Sequence, residues 1–183
     1  MVSVPKYIPH YTLVDYEQWQ GDWELWRGVP VAMSPSPLGR HQWVSGQIVR
    51  QFLNSLDATC KDCFVLLKTD WIVADDTVVR PDVAIVCGSF PERHIMEPPR
   101  LVVEVLSPST EEKDRTAKLD LYASQGVEYY LLVDPIAKSI DALHRESATG
   151  KYEPMPVNEV FTFEFNKNCL ARLDVAALFR VTG

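Results

Sequence analysis

Residues Leu101–Pro135, LVVEVLSPSTEEKDRTAKLDLYASQGVEYYLLVDP, decide the fold. "LVVEVL" is a short, valine-rich apolar run, the pattern of a strand buried on both faces. Ser109 followed three residues later by Glu112 is a capping-box pattern and predicts a helix start. Leu119 and Tyr122 then recur at helical spacing, as do Lys118, Leu121 and Tyr122. Gly126 suits the left-handed position just past a helix end. "EYYLLVDP" is a second buried strand, closed by Pro135. The unit is therefore β-α-β, which requires a parallel strand pair and a right-handed crossover.

Upstream, "FVLLKTDWIVADDTVVRPDVAIV" (Phe64–Val86) predicts two or three strands with a turn at Ala74-Asp75-Asp76. Val44, Ile48, Phe52 and Leu56 recur at helical spacing and predict an amphipathic helix from His41 to Leu56. Before it, "WELWRGVPVAMSP" predicts two short strands around a turn at Arg27-Gly28, and "SPSPLGRHQ" breaks the pattern. Downstream, "SIDALHR", "KYEPM" and "VFTFEF" predict short antiparallel strands, and "DVAALFR" a closing helix. The fold class is α/β (α+β), a mixed central sheet flanked by helices. The 183 residues, read as one domain over 1–183, are enough for a sizeable core.

At 46% hydrophobic and 23% charged, the composition is that of a soluble globular protein. No window approaches ~18 uninterrupted apolar residues, so no membrane span or membrane partner is expected. "MVSVPKYIPHYTLVDYEQW" lacks the basic start and apolar core of a secretory signal, and a cytoplasmic location is expected. Cys60 and Cys63 form a CxxC, but no second pair or His lies close in sequence to complete a zinc set, and no βαβ start surrounds them as in a redox motif. They are expected to be reduced thiols near a strand start. The net charge of −7 counts against a protein that holds nucleic acid by bulk electrostatics. It leaves room for a locally basic cleft, or an acidic site neutralised by a metal ion.

Asp82 and Glu104 each sit inside an apolar, strand-like run, where an acid is rarely buried without a partner. Side chains alternate along a strand. Glu104 thus shares a face with Val102 and Leu106, and Asp82 with Arg80, Ala84 and Val86. On neighbouring strands about 4.8 Å apart, the two carboxylates could hold one divalent cation. From Glu104 to Ser109 the chain advances at most about 16 Å. The helix from Ser109 to Lys118 then returns about 13 Å. Lys118 comes back to the height of Glu104, on one helical face with Tyr122. A lysine there could orient a water nucleophile or stabilise charge growing on a phosphate. Each residue also has an ordinary structural reading: Glu104 paired to Arg80 or Arg100, Asp82 a strand-end acid, Lys118 solvated, Tyr122 plain core, and His41 a surface or capping residue at the helix start. The conjunction points to chemistry more sharply than any member.

In this order, "RPDVAIV", "LVVEVLSPST", "DRTAKLDLY" and "GVEYYLLVDP" resemble the Uma-two family of the PD-(D/E)XK nuclease superfamily. The resemblance extends upstream to "WELWRGVPVAMSPSP" and "HQWVSGQI", covering roughly Glu24 to Pro135. It implies a restriction-endonuclease-like fold and magnesium-dependent (or manganese-dependent) hydrolysis of DNA by an activated water. Asp82 matches the motif's Asp and Glu104 its second acid. The usual lysine, two residues on, is here Leu106, and Lys118 matches a lysine placed on the following helix. Glu24 matches an N-terminal acid that completes the metal shell, or is an exposed strand residue. Tyr122 would support the site from behind, if it is not core.

The expectation is therefore a metal-dependent endonuclease with Asp82, Glu104 and Lys118 catalytic, and Asp82, Glu104 and Glu24 on the metal. The alternative is a catalytically silent binding or accessory module on the same scaffold. Hydrolysis of a small phosphate ester would use the same residues but need a narrow pocket. A homodimer is expected of a nuclease that cuts both strands. Phe161, Phe163 and Phe165 are either its interface or, alternating with Thr162 and Glu164, one buried strand face.

Overall fold

The structure is a computed structural model that describes residues 9–33, 39–167 and 169–180. The first part of the segment read as lacking a secretory signal, and most of the "SPSPLGRHQ" break, lie outside the described residues. After a short helix α1 (Leu13–Tyr16), strands β1 (Trp23–Trp26) and β2 (Val29–Ala32) form a hairpin. Its turn takes positive φ at both Arg27 and Gly28, the twist that suits a two-residue hairpin loop. Helix α2 runs over Gly39–Thr59. The stretch expected to give two or three strands gives four: β3 (Cys63–Leu67), β4 (Trp71–Ala74), β5 (Thr77–Val79) and β6 (Val83–Cys87). Strand β6 begins only after Asp82, because Pro81 offers no amide to a ladder.

Strand β7 (Leu101–Val105), the crossover helix and β8 (Tyr129–Asp134) form the expected β-α-β unit, with β7 and β8 parallel. The crossover is not one regular helix. It runs as α3 (Glu111–Lys113), a π-helical turn over Asp114–Lys118, and α4 (Leu119–Gln125). It also begins one residue later than the Ser109–Glu112 pattern predicts. The amides of Thr110 and Glu111 both donate to the Ser107 carbonyl, so Thr110 takes the cap position. Gly126 ends α4 at φ 83°, as expected. The chain closes with β9 (Ser139–Arg145), β10 (Tyr152–Pro154), β11 (Val160–Asn166), β12 (Cys169–Asp174) and α5 (Val175–Leu178). Strand β12 was not expected, although Cys169, Ala171 and Leu173 alternate inward along it.

The central sheet is mixed and six-stranded, in the order β10-β9-β8-β7-β6-β3. A four-stranded sheet, β2-β1-β5-β4, and the β11-β12 pair accompany it. The central sheet has a core on each face. On one, Val83, Ile85, Val103 and Val105 pack with Ile48 and Phe52 of α2 and with Phe161, Phe163 and Phe165 of β11. Those phenylalanines are buried within the chain, so they are a strand face and not a dimer interface. On the other face, Ala84, Val86, Val102 and Leu106 pack with Tyr122, Val127 and Tyr130. Helix α2 also covers the backbone of β12, which has β11 on one side only. Gln51, Ser55 and Thr59, spaced four apart, accept from the amides of Asp174, Arg172 and Leu170. This side-chain ladder satisfies groups that an open strand edge would expose.

All four cysteines meet at one end of this arrangement. The structure joins Cys60 to Cys169 and Cys63 to Cys87, so Cys60 and Cys63 are not the reduced thiols the sequence suggested. The β3–β6 register sets Cys63 opposite Cys87, and the β11–β12 hairpin delivers Cys169. Neither partner is visible from local spacing. Among the described residues, no helix is long and apolar enough to cross a membrane.

Candidate active site

The β6–β7 ladder pairs Val83 with Val103. One residue further, Asp82 stands opposite Glu104, on the face that carries Tyr122. The Val105 amide donates to Asp82 Oδ2 at 2.9 Å, tying the strand-end acid to the neighbouring strand. The helix placement also holds: Lys118 Nζ and the Tyr122 hydroxyl both donate to Glu104 Oε1, each at 2.8 Å. Glu104's partners are therefore the helix groups. Arg80 turns to Asp70 and Asp22, and Arg100 to Glu128.

Glu24 on β1 is fully buried, which excludes its reading as an exposed strand residue. Its Oε1 lies 3.5 Å from Lys118 Nζ and its Oε2 2.5 Å from Lys113 Nζ. The Trp26 indole and the Arg80 amide complete its shell. Two groups the sequence reading did not include also belong here. Asp114 Oδ1 lies 3.3 Å from Lys118 Nζ, and Lys68 Nζ 3.1 Å from Asp82 Oδ1. His41, expected at the surface, is buried, with Nε2 3.1 Å from Asp82 Oδ2.

Asp114 and Lys118, four residues apart, both face inward from the π-helical turn. Single π turns inside helices are frequent at functional sites. Here the Tyr130 hydroxyl donates to the main-chain carbonyl of Asp114, within the turn.

The acids divide by environment. Burial would raise Asp82, but the hydrogen bond and charge of His41, with Lys68 and the Val105 amide, bring it down to about 2. Burial would likewise raise Glu24, and Lys118 and Lys113 bring it down to about 2. Glu104 goes the other way. Burial, reinforced by the charges of Asp114 and Asp82, lifts it to about 8 in spite of Lys118. Burial works against the charge of Lys118, but Glu104, Glu24 and Asp114 hold its pKa well above the ordinary lysine value. Lys118 is thus a fixed positive charge, not a proton acceptor. Tyr122 is held protonated by burial and by Glu104, and stays a donor.

These shifts predict a pH profile for the metal-free protein. An acid whose pKa is raised on folding contributes stability that is present below its unfolded value and lost as pH rises. For Glu104 that loss runs from about 4.5 to about 8. Asp82 and Glu24, lowered, contribute stability that is lost as pH falls from about 4 to about 2. Denaturant titrations in chelator should therefore show stability falling between pH 4.5 and 8. Glu104→Gln should flatten that slope, and magnesium should reverse it by favouring the ionised carboxylate.

The donor set fits a hard divalent cation, since carboxylate oxygens are the ligands magnesium and manganese take. In the structure Asp82 faces His41 and Lys68 while Glu104 faces Lys118, so a cation between Asp82 and Glu104 would require those side chains to turn.

Comparisons with known proteins bear on the family and the fold. The model of the Uma2 family, described as "Putative restriction endonuclease", matches residues 13–170. An uncharacterized protein of Synechocystis sp. (strain ATCC 27184 / PCC 6803 / Kazusa) is 34% identical over 147 residues, covering 77% of this chain and 75% of that one. The crystal structure of "a putative nuclease belonging to DUF820" from Anabaena variabilis ATCC 29413 superposes with a TM-score of 0.71 at 16% identity. It covers 92% of this chain and 97% of that chain. At that identity the likeness concerns the fold, which is restriction-endonuclease-like.

Proposed function

The chain belongs to the Uma2 family, and on that footing we propose that it is a metal-dependent endonuclease that hydrolyses DNA phosphodiester bonds with Asp82, Glu104 and Lys118. One observation carries the reading. Among the described residues the buried acids are Glu24, Asp82, Glu104 and Asp114 and the buried lysine is Lys118; Glu24, Glu104 and Asp114 share Lys118, and the charge of Asp82 acts on Glu104. Buried charge is costly and is kept where it works or is fully paired.

Asp82 and Glu104 would hold a magnesium or manganese ion, with Glu24 beside them. When bound, the ion would polarise the scissile phosphate and ease deprotonation of an attacking water. The other roles belong to the chain. Lys118 keeps its charge and offers it to a phosphate oxygen or to the water. Tyr122 fixes the rotamer of Glu104, His41 and Lys68 orient Asp82, and Glu24 holds Lys118 and Lys113 in place.

A cationic surface at the start of α2 supports a polyanionic substrate in spite of the net charge. Arg40, Lys138 and Arg180 line a cavity of about 330 Å³ together with the half-exposed Trp43. Cations track a phosphate backbone, and an aromatic face can stack a base. Arg40→Glu combined with Lys138→Glu should weaken DNA binding at least tenfold and flatten its salt dependence, as read by fluorescence anisotropy at several salt concentrations. Unchanged affinity would place the substrate elsewhere.

One observation favours a catalytically silent module instead: each acid already has a basic partner without a metal ion. Incubating supercoiled plasmid with the full chain and magnesium or manganese separates the two readings. Conversion to nicked or linear DNA supports the nuclease. No conversion with either ion, at protein in excess of plasmid, supports the module. The expected cytoplasmic location and homodimer are part of the nuclease proposal.

A further inference from the structure

We infer that Cys60, Cys63, Cys87 and Cys169 form a tetrahedral zinc site in the reduced chain. The site is independent of the acid cluster and of the nuclease reading. The sulfurs of Cys60, Cys63 and Cys169 lie within 4.8 Å of one another, the one such group of potential metal ligands among the described residues. Cys87 is joined to Cys63, and the Sγ atoms of Cys63 and Cys169 approach to 3.4 Å. The four sulfurs thus form one continuous knot, where two disulfides of separate function would have no need to touch.

Zinc–sulfur bonds of about 2.3 Å in a tetrahedron place ligand sulfurs about 3.8 Å apart. That lies inside the range the three sulfurs already span. Cys60-x-x-Cys63 has the spacing of a structural zinc knuckle, and Cys87 and Cys169 arrive from two other strands to supply the second pair. The loop between the first two is tied down by the Gly88 amide, which donates to the Asp62 carbonyl at 2.7 Å.

The elements joined are the end of α2, the start of β3, the end of β6 and the start of β12. The ion therefore clamps the β11-β12 pair and α2 to the β3 edge of the central sheet. Asp82 precedes the opposite end of β6, about 16 Å away along the strand. The zinc would act on stability and not on the reacting groups. Thiolates are the ligands, so binding releases protons and affinity weakens as pH is lowered.

The test uses the full chain, reduced and stripped of metal under anaerobic conditions, then titrated with zinc and separately with cobalt. One ion per chain is expected. Cobalt should give strong thiolate-to-metal charge-transfer absorption, and zinc should slow alkylation of all four cysteines at least tenfold in the wild-type chain. Cys63→Ser combined with Cys87→Ser should lose the cobalt band and the tight zinc. The alkylation readout needs no variant and stands if that variant does not fold. Zinc that leaves the alkylation rates unchanged, or a cobalt spectrum without thiolate absorption, would overturn the assignment.

Discussion

Asp82→Asn is expected to lower DNA cutting by about a thousandfold or more, equivalent to about 4 kcal/mol of transition-state stabilisation. The change is nearly isosteric, and the amide oxygen can still accept the Val105 N–H that the carboxylate accepts now. It removes the negative charge that would hold the metal ion and that His41 and Lys68 now face. Loss of a ligand charge removes several kcal/mol of cation affinity and of the charge stabilisation the ion supplies. Circular dichroism should show an intact fold, and magnesium should no longer stabilise the protein against heat. A variant that cuts as fast as wild type would remove Asp82 from the chemistry.

The second large effect is on stability. Lys118→Met should cost about 3–5 kcal/mol, the usual cost of breaking a buried ion pair from one side. Lys118 is the shared partner of Glu104, Glu24 and Asp114. Methionine fills similar volume but leaves those carboxylates facing one another. Their protonation is then favoured, so the variant should recover stability as pH falls towards 4. The wild type should show a weaker trend, because Lys118 offsets part of the repulsion. Urea titrations at pH 4.5 and 8 check both the size and the sign. Lys118→Arg keeps the charge and separates the electrostatic loss from the packing loss. A cost under 1 kcal/mol at neutral pH would mean that Lys118 is not the counter-charge of this cluster.

Much of this site could be read from the residues because it rests on strand alternation and helix return. Counting places Asp82 and Glu104 each on a face of its own strand, the two meet because β6 and β7 are neighbours, and Lys118 and Tyr122 reach Glu104 because they lie one turn apart. The agreement survived an error in the helix. The crossover contains a π turn and begins a residue late, yet Lys118 still reaches Glu104. Asp114 was legible by the same rule, since it lies four residues before Lys118 as Tyr122 lies four after, but the count ran forward from Lys118 only. Lys68 and His41 were missed for another reason. Each reaches Asp82 from an element whose position depends on long-range pairing: Lys68 follows the β3 edge strand, and His41 sits at the start of a helix packed on the opposite face of the sheet. The same holds for the cysteines. Cys60 and Cys63 announce themselves by spacing, while Cys87 and Cys169 become neighbours only through strand register. Strand β12 was legible in its alternation but was passed over, and its backbone bonds to Gln51, Ser55 and Thr59 could not be foreseen without the fold.

The central claim is that Asp82 and Glu104 jointly hold a divalent ion. Crystals of the full chain soaked in manganese test it most directly through the anomalous signal of the ion. The account predicts a peak within coordination distance, about 2.2 Å, of a carboxylate oxygen from each of the two residues. A manganese-saturated crystal with no peak between them, and Lys118 still bonded to Glu104, would contradict it.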